Sequence, residues 1–175
     1  VGEALIKQRP EFYDSYNLLV GIAVKQKDYR NAIHYGEKAL ELKPDVFDVR
    51  QILGFAYSQL GQNEAAANHF ELALKCVPED QVDSRAQRMQ VHNQLGLLHS
   101  KQKKFDLAIV QYEKTLKLNP EQPDMLNALA QALLACRNPA LRNPSRALEL
   151  AQKACGLTQS KNPEYLSTLG VAYAT

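Results

Sequence analysis

The chain has no surplus of charge of one sign. Its 175 residues carry 21 Lys+Arg against 19 Asp+Glu, a formal net charge of +2. A nucleic-acid binder usually gathers a concentrated basic face; none is legible, so nucleic acid is not the expected partner. Long hydrophobic runs are missing too. No segment approaches the roughly 18 uninterrupted apolar residues of a membrane-crossing helix, and no membrane contact is expected of this stretch. The first residues, VGEALIKQRP, lack a basic segment followed by an apolar one, so no signal peptide is read there. Cysteine is scarce: Cys76, Cys136 and Cys155 are too few and too irregularly spaced for a disulfide framework or a zinc site. They read as small buried hydrophobes, with a Cys136–Cys155 disulfide as the alternative.

Catalytic motifs are absent as well. There is no Gly-rich phosphate loop, no H-E-x-x-H and no C-x-x-C. His92 and His99 stand seven residues apart. On one helix that is about 10.5 Å of rise, too far for one metal ion, and both read as core histidines. Asn143-Pro144-Ser145 is no glycosylation acceptor, because proline occupies the middle. The expectation is a chain that is not an enzyme and needs neither cofactor nor metal.

What the chain does have is a repeat. Hydrophobic residues make up 45%, enough for a core. Three segments end alike: KALELKPD at 38–45, LALKCVPE at 72–79 and KTLKLNPE at 114–121. From Pro10 to Pro44 is 34 residues, from Pro44 to Pro78 again 34, and from Pro78 to Pro120 it is 42. One insertion of eight, QVDSRAQR at 81–88, restores the period. If each unit is numbered with its proline at 32, alanine recurs at position 20 as Ala32, Ala66 and Ala108. Position 7 is Leu19, Leu53 and Leu95, and position 8 is Val20, Gly54 and Gly96. Position 27 is Ala39, Ala73 and Thr115. Two antiparallel helices approach closely only where side chains are small, so positions 8 and 20 are expected to mark their crossing. The large residues at 24 (Phe70, Tyr112) and 28 (Leu40, Leu74, Leu116) are expected to fill the space between adjacent hairpins. Proline ends each second helix, because it lacks an N–H and restricts the residue before it.

A fourth unit follows, with Leu129 and Ala130 at 7 and 8, and Ala147 and Ala154 at 20 and 27. Its connection, RNPALRNPS, is about five residues longer than the others and is kept non-helical by its prolines. NPEYLSTLGVAYAT then opens a fifth unit, with Leu169, Gly170 and Tyr173 at 7, 8 and 11.

This pattern resembles the tetratricopeptide repeat: period 34, helix–turn–helix, small residues at 8, 20 and 27, proline at 32. The resemblance implies an all-α fold, a right-handed superhelical solenoid of antiparallel helix hairpins. It divides the chain into the tail of a preceding repeat at 1–12, repeats at 13–46, 47–80, 81–122 and 123–162, and the first helix of a fifth at 163–175. The chain is thus expected to begin and end mid-repeat, as a soluble piece, cytoplasmic or periplasmic, of a longer array. There are departures. The family's tryptophan at position 4 is Tyr16, Arg50, His92 and Leu126 here; Val20 stands where glycine is usual and Gly36 where an aromatic is usual. The stretch from Leu126 onward also resembles a variant in large bacterial proteins of this family, some with a membrane region similar to protein O-mannosyltransferases.

The family resemblance further implies that positions 2, 5, 9 and 12 of the first helices face a concave groove. Position 5 is a column of primary amides, Asn17, Gln51, Asn93 and Asn127. Amides donate and accept, so such a column could hold the backbone of an extended peptide; otherwise it is simply a solvated face. The asparagine ladder of O-linked N-acetylglucosamine transferases stands one position later, and that function is not carried over. Position 9 includes Phe55, Leu97 and Gln131. Phe55 and Leu97 form either an apolar docking floor or a contact buried by the superhelix. Position 2 is acidic at Asp14, Asp48, Asp124 and Glu164. These carboxylates either attract a basic partner or answer the positive end of the helix dipole. The clamp of chaperone-binding members has Lys and Asn where this chain has Asn17 and Gly21, and Lys and Arg where it has Gln90 and Gln94. Lys101, Lys103 and Lys104 sit near a helix C-terminus and read as capping. The insertion should lengthen the third unit's first helix by about two turns, roughly 12 Å, with Asp83 or Ser84 as N-cap. The expected function is a scaffold that holds a protein or peptide. Competing readings are an accessory arm of a bacterial membrane-bound glycosyltransferase, and self-assembly into a homo-oligomer through exposed terminal helices.

Overall fold

A computed structural model of the chain describes residues 12–78 and 84–175. All regular secondary structure among them is helical: α1 (Tyr13–Lys25), α2 (Tyr29–Leu42), α3 (Phe47–Gln59), α4 (Asn63–Lys75), α5 (Ser84–Lys101), α6 (Phe105–Leu118), α7 (Pro123–Ala135), α8 (Pro144–Leu157) and α9 (Pro163–Tyr173). The chain divides into two compact units, residues 1–84 and 85–175.

In the first unit α1 pairs with α2 and α3 with α4, and α2 packs on α3. The connections 26–28 and 60–62 are only three residues long. So tight a reversal needs one residue in the left-handed region, here Lys27 (φ 58°) and Gly61 (φ 74°), both at position 15 of the repeat. Asp28 then starts α2, its side chain accepting from the Asn31 backbone N–H at 3.1 Å and from Asn31 Nδ2 at 2.7 Å, which satisfies one orphan donor of the helix. The core between hairpins is Tyr16, Ala39, Leu40, Val49 and Leu53.

In the second unit α7 pairs with α8, α6 packs on α7, and α9 packs on α8 and reaches α7. The α5–α6 turn, 102–104, repeats the left-handed residue with Lys103 (φ 59°). The α7–α8 connection, 136–143, is eight residues. Within it the Asn138 carbonyl accepts from the N–H groups of Leu141 (3.0 Å) and Arg142 (2.9 Å), and Leu141 packs on the core. Asn143 then caps α8 through Arg146 N at 2.9 Å. Pro144 sits in the first turn, where its missing N–H costs nothing. Helix α5 has 18 residues where α1, α3 and α7 have 13. It is described from five residues ahead of position 1, about 7.5 Å of added helix. Arg85 in that extension donates through Nε (2.7 Å) and Nη2 to the Leu118 carbonyl, placing a cation on the C-terminus of α6. Asp83, the other expected cap, lies outside the described residues.

The glycines at position 8 explain how closely the paired helices approach. A Cβ on Gly54 would lie 2.6 Å from the Phe70 ring, and one on Gly96 would lie 2.5 Å from the Tyr112 ring. The aromatics of position 24 therefore lie over the glycine of their own hairpin. Tyr112 also packs into the core that α6 shares with α7, as expected for the space between hairpins, and the contact within the hairpin is the addition. In the first hairpin the sizes are exchanged: Val20 is fully buried, and Gly36 at position 24 receives Leu53 of α3, 2.7 Å from where its Cβ would stand. The departure at Val20 and Gly36 is thus a swap of large and small that keeps the core filled.

Candidate functional site

In the second unit residues of three first helices, among them positions 2, 5 and 9 of the repeat, border one cavity of about 540 Å³. α5 contributes Asn93, Leu97 and Ser100; α7 contributes Asp124, Met125, Asn127, Ala128, Gln131 and Ala132; α9 contributes Glu164 and Tyr165; Phe105 and Tyr112 of α6 complete it. Gln131 Nε2 donates to Glu164 Oε1 at 3.3 Å and to Thr168 Oγ1 at 3.1 Å. Asn127 Nδ2 donates to the same Glu164 oxygen at 3.4 Å. The Tyr165 hydroxyl donates to Asp124 Oδ1. Tyr165 therefore titrates high, pushed up to about 12 by burial first, then by its bond to Asp124 and by the charges of Asp124 and Glu164. Ser100 Oγ lies 3.1 Å from the Tyr112 hydroxyl at the far wall.

Asn127 is 3% exposed, yet its Oδ1 has no hydrogen-bond partner, and neither has the buried Oδ1 of Asn93. An unpaired buried polar atom costs about 1–3 kcal/mol. The orientation of the Asn127 amide follows from its neighbour: turning it over would set its oxygen against the Glu164 carboxylate.

In the first unit the corresponding residues are arranged differently. Asp14, Asn17 and Asp48 are exposed, and Gln51 and Phe55 are half-buried. Gln51 Nε2 is a buried donor without a partner. Phe55 meets Tyr29 edge to face, ring centroids 5.9 Å apart, so its ring is already partly engaged. Leu97, in the second unit, is 48% exposed.

The other sequence candidates resolve simply. His92 is buried, its Nδ1 2.8 Å from Gln111 Oε1, and His99 is half-buried. Among the described residues no group of three His, Cys, Asp or Glu side chains could hold a metal ion, and no helix is long and apolar enough to cross a membrane. The three cysteines are unpaired; Cys136 and Cys155 sit in separate apolar clusters, which removes the disulfide alternative. Lys103 forms the α5–α6 turn and lines a second cavity of about 570 Å³ with Phe105, Asp106, Arg137 and Asn138.

Two arrangements were missed from sequence. One is the reach of Glu164 and Thr168 back to α7, for which the spacing of 33 to 37 residues between partners was the available signal. The other lies in the first unit. Glu37 Oε1 accepts from the Tyr57 hydroxyl at 3.0 Å and lies 3.3 Å from His69 Nε2. His69 stacks on Tyr57, ring centroids 5.2 Å apart. Burial, with Glu37 second, pushes Tyr57 up to about 12. Burial also lowers His69 from its ordinary value; Glu37 opposes that and Arg50 adds to it.

Comparison with known proteins agrees with this architecture. Tetratricopeptide-repeat family models match residues 23–90 and 90–122, together more than half of the chain. "Protein CTR9 homolog" of Arabidopsis thaliana is 36% identical over 70 residues, 40% of this chain. That match spans only 6% of the relative's length. Among solved structures, MamA from residue 41 to its end, of Desulfovibrio magneticus RS-1, has a TM-score of 0.79 at 18% identity, covering 93% of this chain and 84% of that one. The APC/C hetero-tetramer Cut9–Hcn1 has a TM-score of 0.73 at 19% identity, covering 93% of this chain and 30% of that one. At these identities the structural likeness speaks for the fold alone.

Proposed function

The chain belongs to the tetratricopeptide-repeat family, an all-α solenoid of antiparallel hairpins, and from that premise we propose that it is a protein-interaction scaffold whose first helices hold an extended peptide. One observation carries the reading. Of the four amides at position 5, three keep a buried atom without a hydrogen-bond partner: Gln51 Nε2, Asn93 Oδ1 and Asn127 Oδ1. Folded chains pair such atoms almost always. A partner backbone that draws these amides outward would complete the buried atoms, and their recurrence at one register position is what supports the reading. A peptide backbone offers both an N–H and a C=O, which suits amides left short of a donor in one place and of an acceptor in another.

Within the first unit Asn17 and Gln51 would make the contact, with Asp14 and Asp48 at their edge and Phe55 beside them; within the second, Asn93 and Asn127 would, with Asp124 at their edge and Leu97 and Gln131 beside them. The repeat boundaries read from the sequence belong to the same proposal. The assembly of Cut9 with Hcn1, a property of that other chain, lends support to a surface of this fold serving a second protein.

The test uses a labelled peptide of about nine residues alternating serine and valine, which favours the extended backbone. Fluorescence anisotropy should report saturable binding. Gln51→Ala and Asn127→Ala should each weaken it roughly fivefold to tenfold, the worth of one hydrogen bond. Affinity unchanged in both variants, with both folded, would overturn the proposal.

A further inference from the structure

The second unit's cavity has unused hydrogen-bonding capacity, and its sign is informative. Asp124 spends Oδ1 on the Tyr165 hydroxyl, and Glu164 spends Oε1 on Asn127 and Gln131. Among the described residues their other carboxylate oxygens accept no hydrogen bond. Within the wall behind them the buried oxygens of Asn127 and Asn93 are also unpaired and add to the negative potential. All of these atoms accept. No lysine or arginine lines the cavity. Asp124 and Glu164 are exposed at its mouth, so a cation reaches them without complete loss of water, which keeps its desolvation cost low.

We infer that this cavity selects a basic residue, lysine or arginine, of an extended partner peptide, the cation seated between Asp124 and Glu164. The inference rests on the peptide-binding reading above and adds the partner's charge to it. Ammonium and guanidinium groups donate only and never accept, so they match a set of acceptors that a carboxylate, a phosphate or a second amide oxygen would leave unsatisfied. Their aliphatic stems suit the apolar wall, here Leu97, which is 48% exposed, and the ring of Phe105.

The experiment measures anisotropy with three labelled serine–valine peptides that differ only in a central lysine, serine or glutamate. Wild-type chain is compared with Asp124→Asn and Glu164→Gln. Both replacements are isosteric and keep an acceptor for Tyr165, Asn127 and Gln131, and circular dichroism checks that they fold. The lysine peptide should bind about tenfold tighter than the serine peptide. That advantage should shrink in each variant and fall as salt rises from about 50 to 500 mM, the lysine peptide losing more affinity than the serine peptide each time. Equal binding of the lysine and serine peptides, or tighter binding of the glutamate peptide, overturns the inference. If the serine peptide binds and Asn127→Ala weakens it while charge has no effect, the scaffold reading stands and the basic selection falls. If no peptide binds, both fall.

Discussion

The two compact units carry the same repeat register in their first helices and use it differently. In the second, Asp124, Asn127 and Gln131 of α7 are tied to α9 through Glu164, Tyr165 and Thr168 around a cavity. In the first, Asp14, Asn17 and Asp48 lie exposed, Phe55 leans on Tyr29, and the built polar cluster is elsewhere, among Glu37, Tyr57 and His69. Register places a residue on a face. Whether that face becomes a site depends on what the next helix brings: α9 presents a carboxylate to two amides, whereas α3 presents Gln51 without a partner for its Nε2.

The largest effects should come from the close crossings that both units share. Gly96→Ala drives a Cβ into the buried Tyr112 ring, and Gly54→Ala does the same to Phe70. Each should cost about 1–3 kcal/mol in calorimetric unfolding. Gly21, which a Cβ would leave without a neighbour within 4 Å, supplies the contrast: Gly21→Ala should stabilise by about 1 kcal/mol through helix propensity. If Gly96→Ala were also stabilising, the crossing would not be as tight as described.

The next effect separates holding a ligand from holding the fold. Asn127→Leu removes an unpaired buried acceptor and should raise unfolding stability by about 1 kcal/mol while weakening peptide binding roughly fivefold to tenfold. A fall in stability would mean that the weak bond to Glu164 matters more than the missing one. Gln51→Leu poses the same question in the first unit.

Smaller again, Lys27→Gly and Lys103→Gly relieve a left-handed backbone. Each should gain about 0.5 kcal/mol, the balance of αL relief against glycine's added chain entropy. Equal gains would show that the turns are equivalent in the two units.

The smallest effect concerns only the first unit. His69 is lowered in the folded chain by burial, so the folded state binds its proton less readily than the unfolded state does. Stability should be level above about pH 6.5, where both states are neutral, and should fall as pH drops through the unfolded value toward the lower folded one. Urea midpoints between neutral and mildly acid pH should show this slope, and His69→Gln should flatten it. An unchanged slope in the variant would assign the effect to other groups.

The residues that made the fold legible are those whose size is dictated by helix contact. Ala32, Ala66 and Ala108 are fully buried, as two close helices require, and their recurrence was readable without coordinates. The long α7–α8 connection was readable too, from its prolines and from the spacing of Ala130 and Ala147. The partners of the aromatics were not. Phe70 and Tyr112 are buried whether they pack within a hairpin or between hairpins, so hydrophobicity alone did not reveal that each lies over the glycine of its own hairpin, Tyr112 while also facing α7. The network at Glu164 was hidden for a related reason: an acidic residue in the first turn of a helix is already explained by the dipole, so nothing in the sequence demanded a second role.

By itself the sequence determined the helices, their order, the residues that had to be small and the positions that share a face. These follow from local propensity and from a period that each unit repeats within its own span. Only the tertiary structure decided which groove residues meet. Asn127 and Gln131 lie 33 to 37 residues from Glu164 and Thr168, and a contact across that separation forms only when α7, α8 and α9 have packed. The same packing leaves the Asn127 oxygen buried and unpaired, a property of the assembled wall that no single repeat contains.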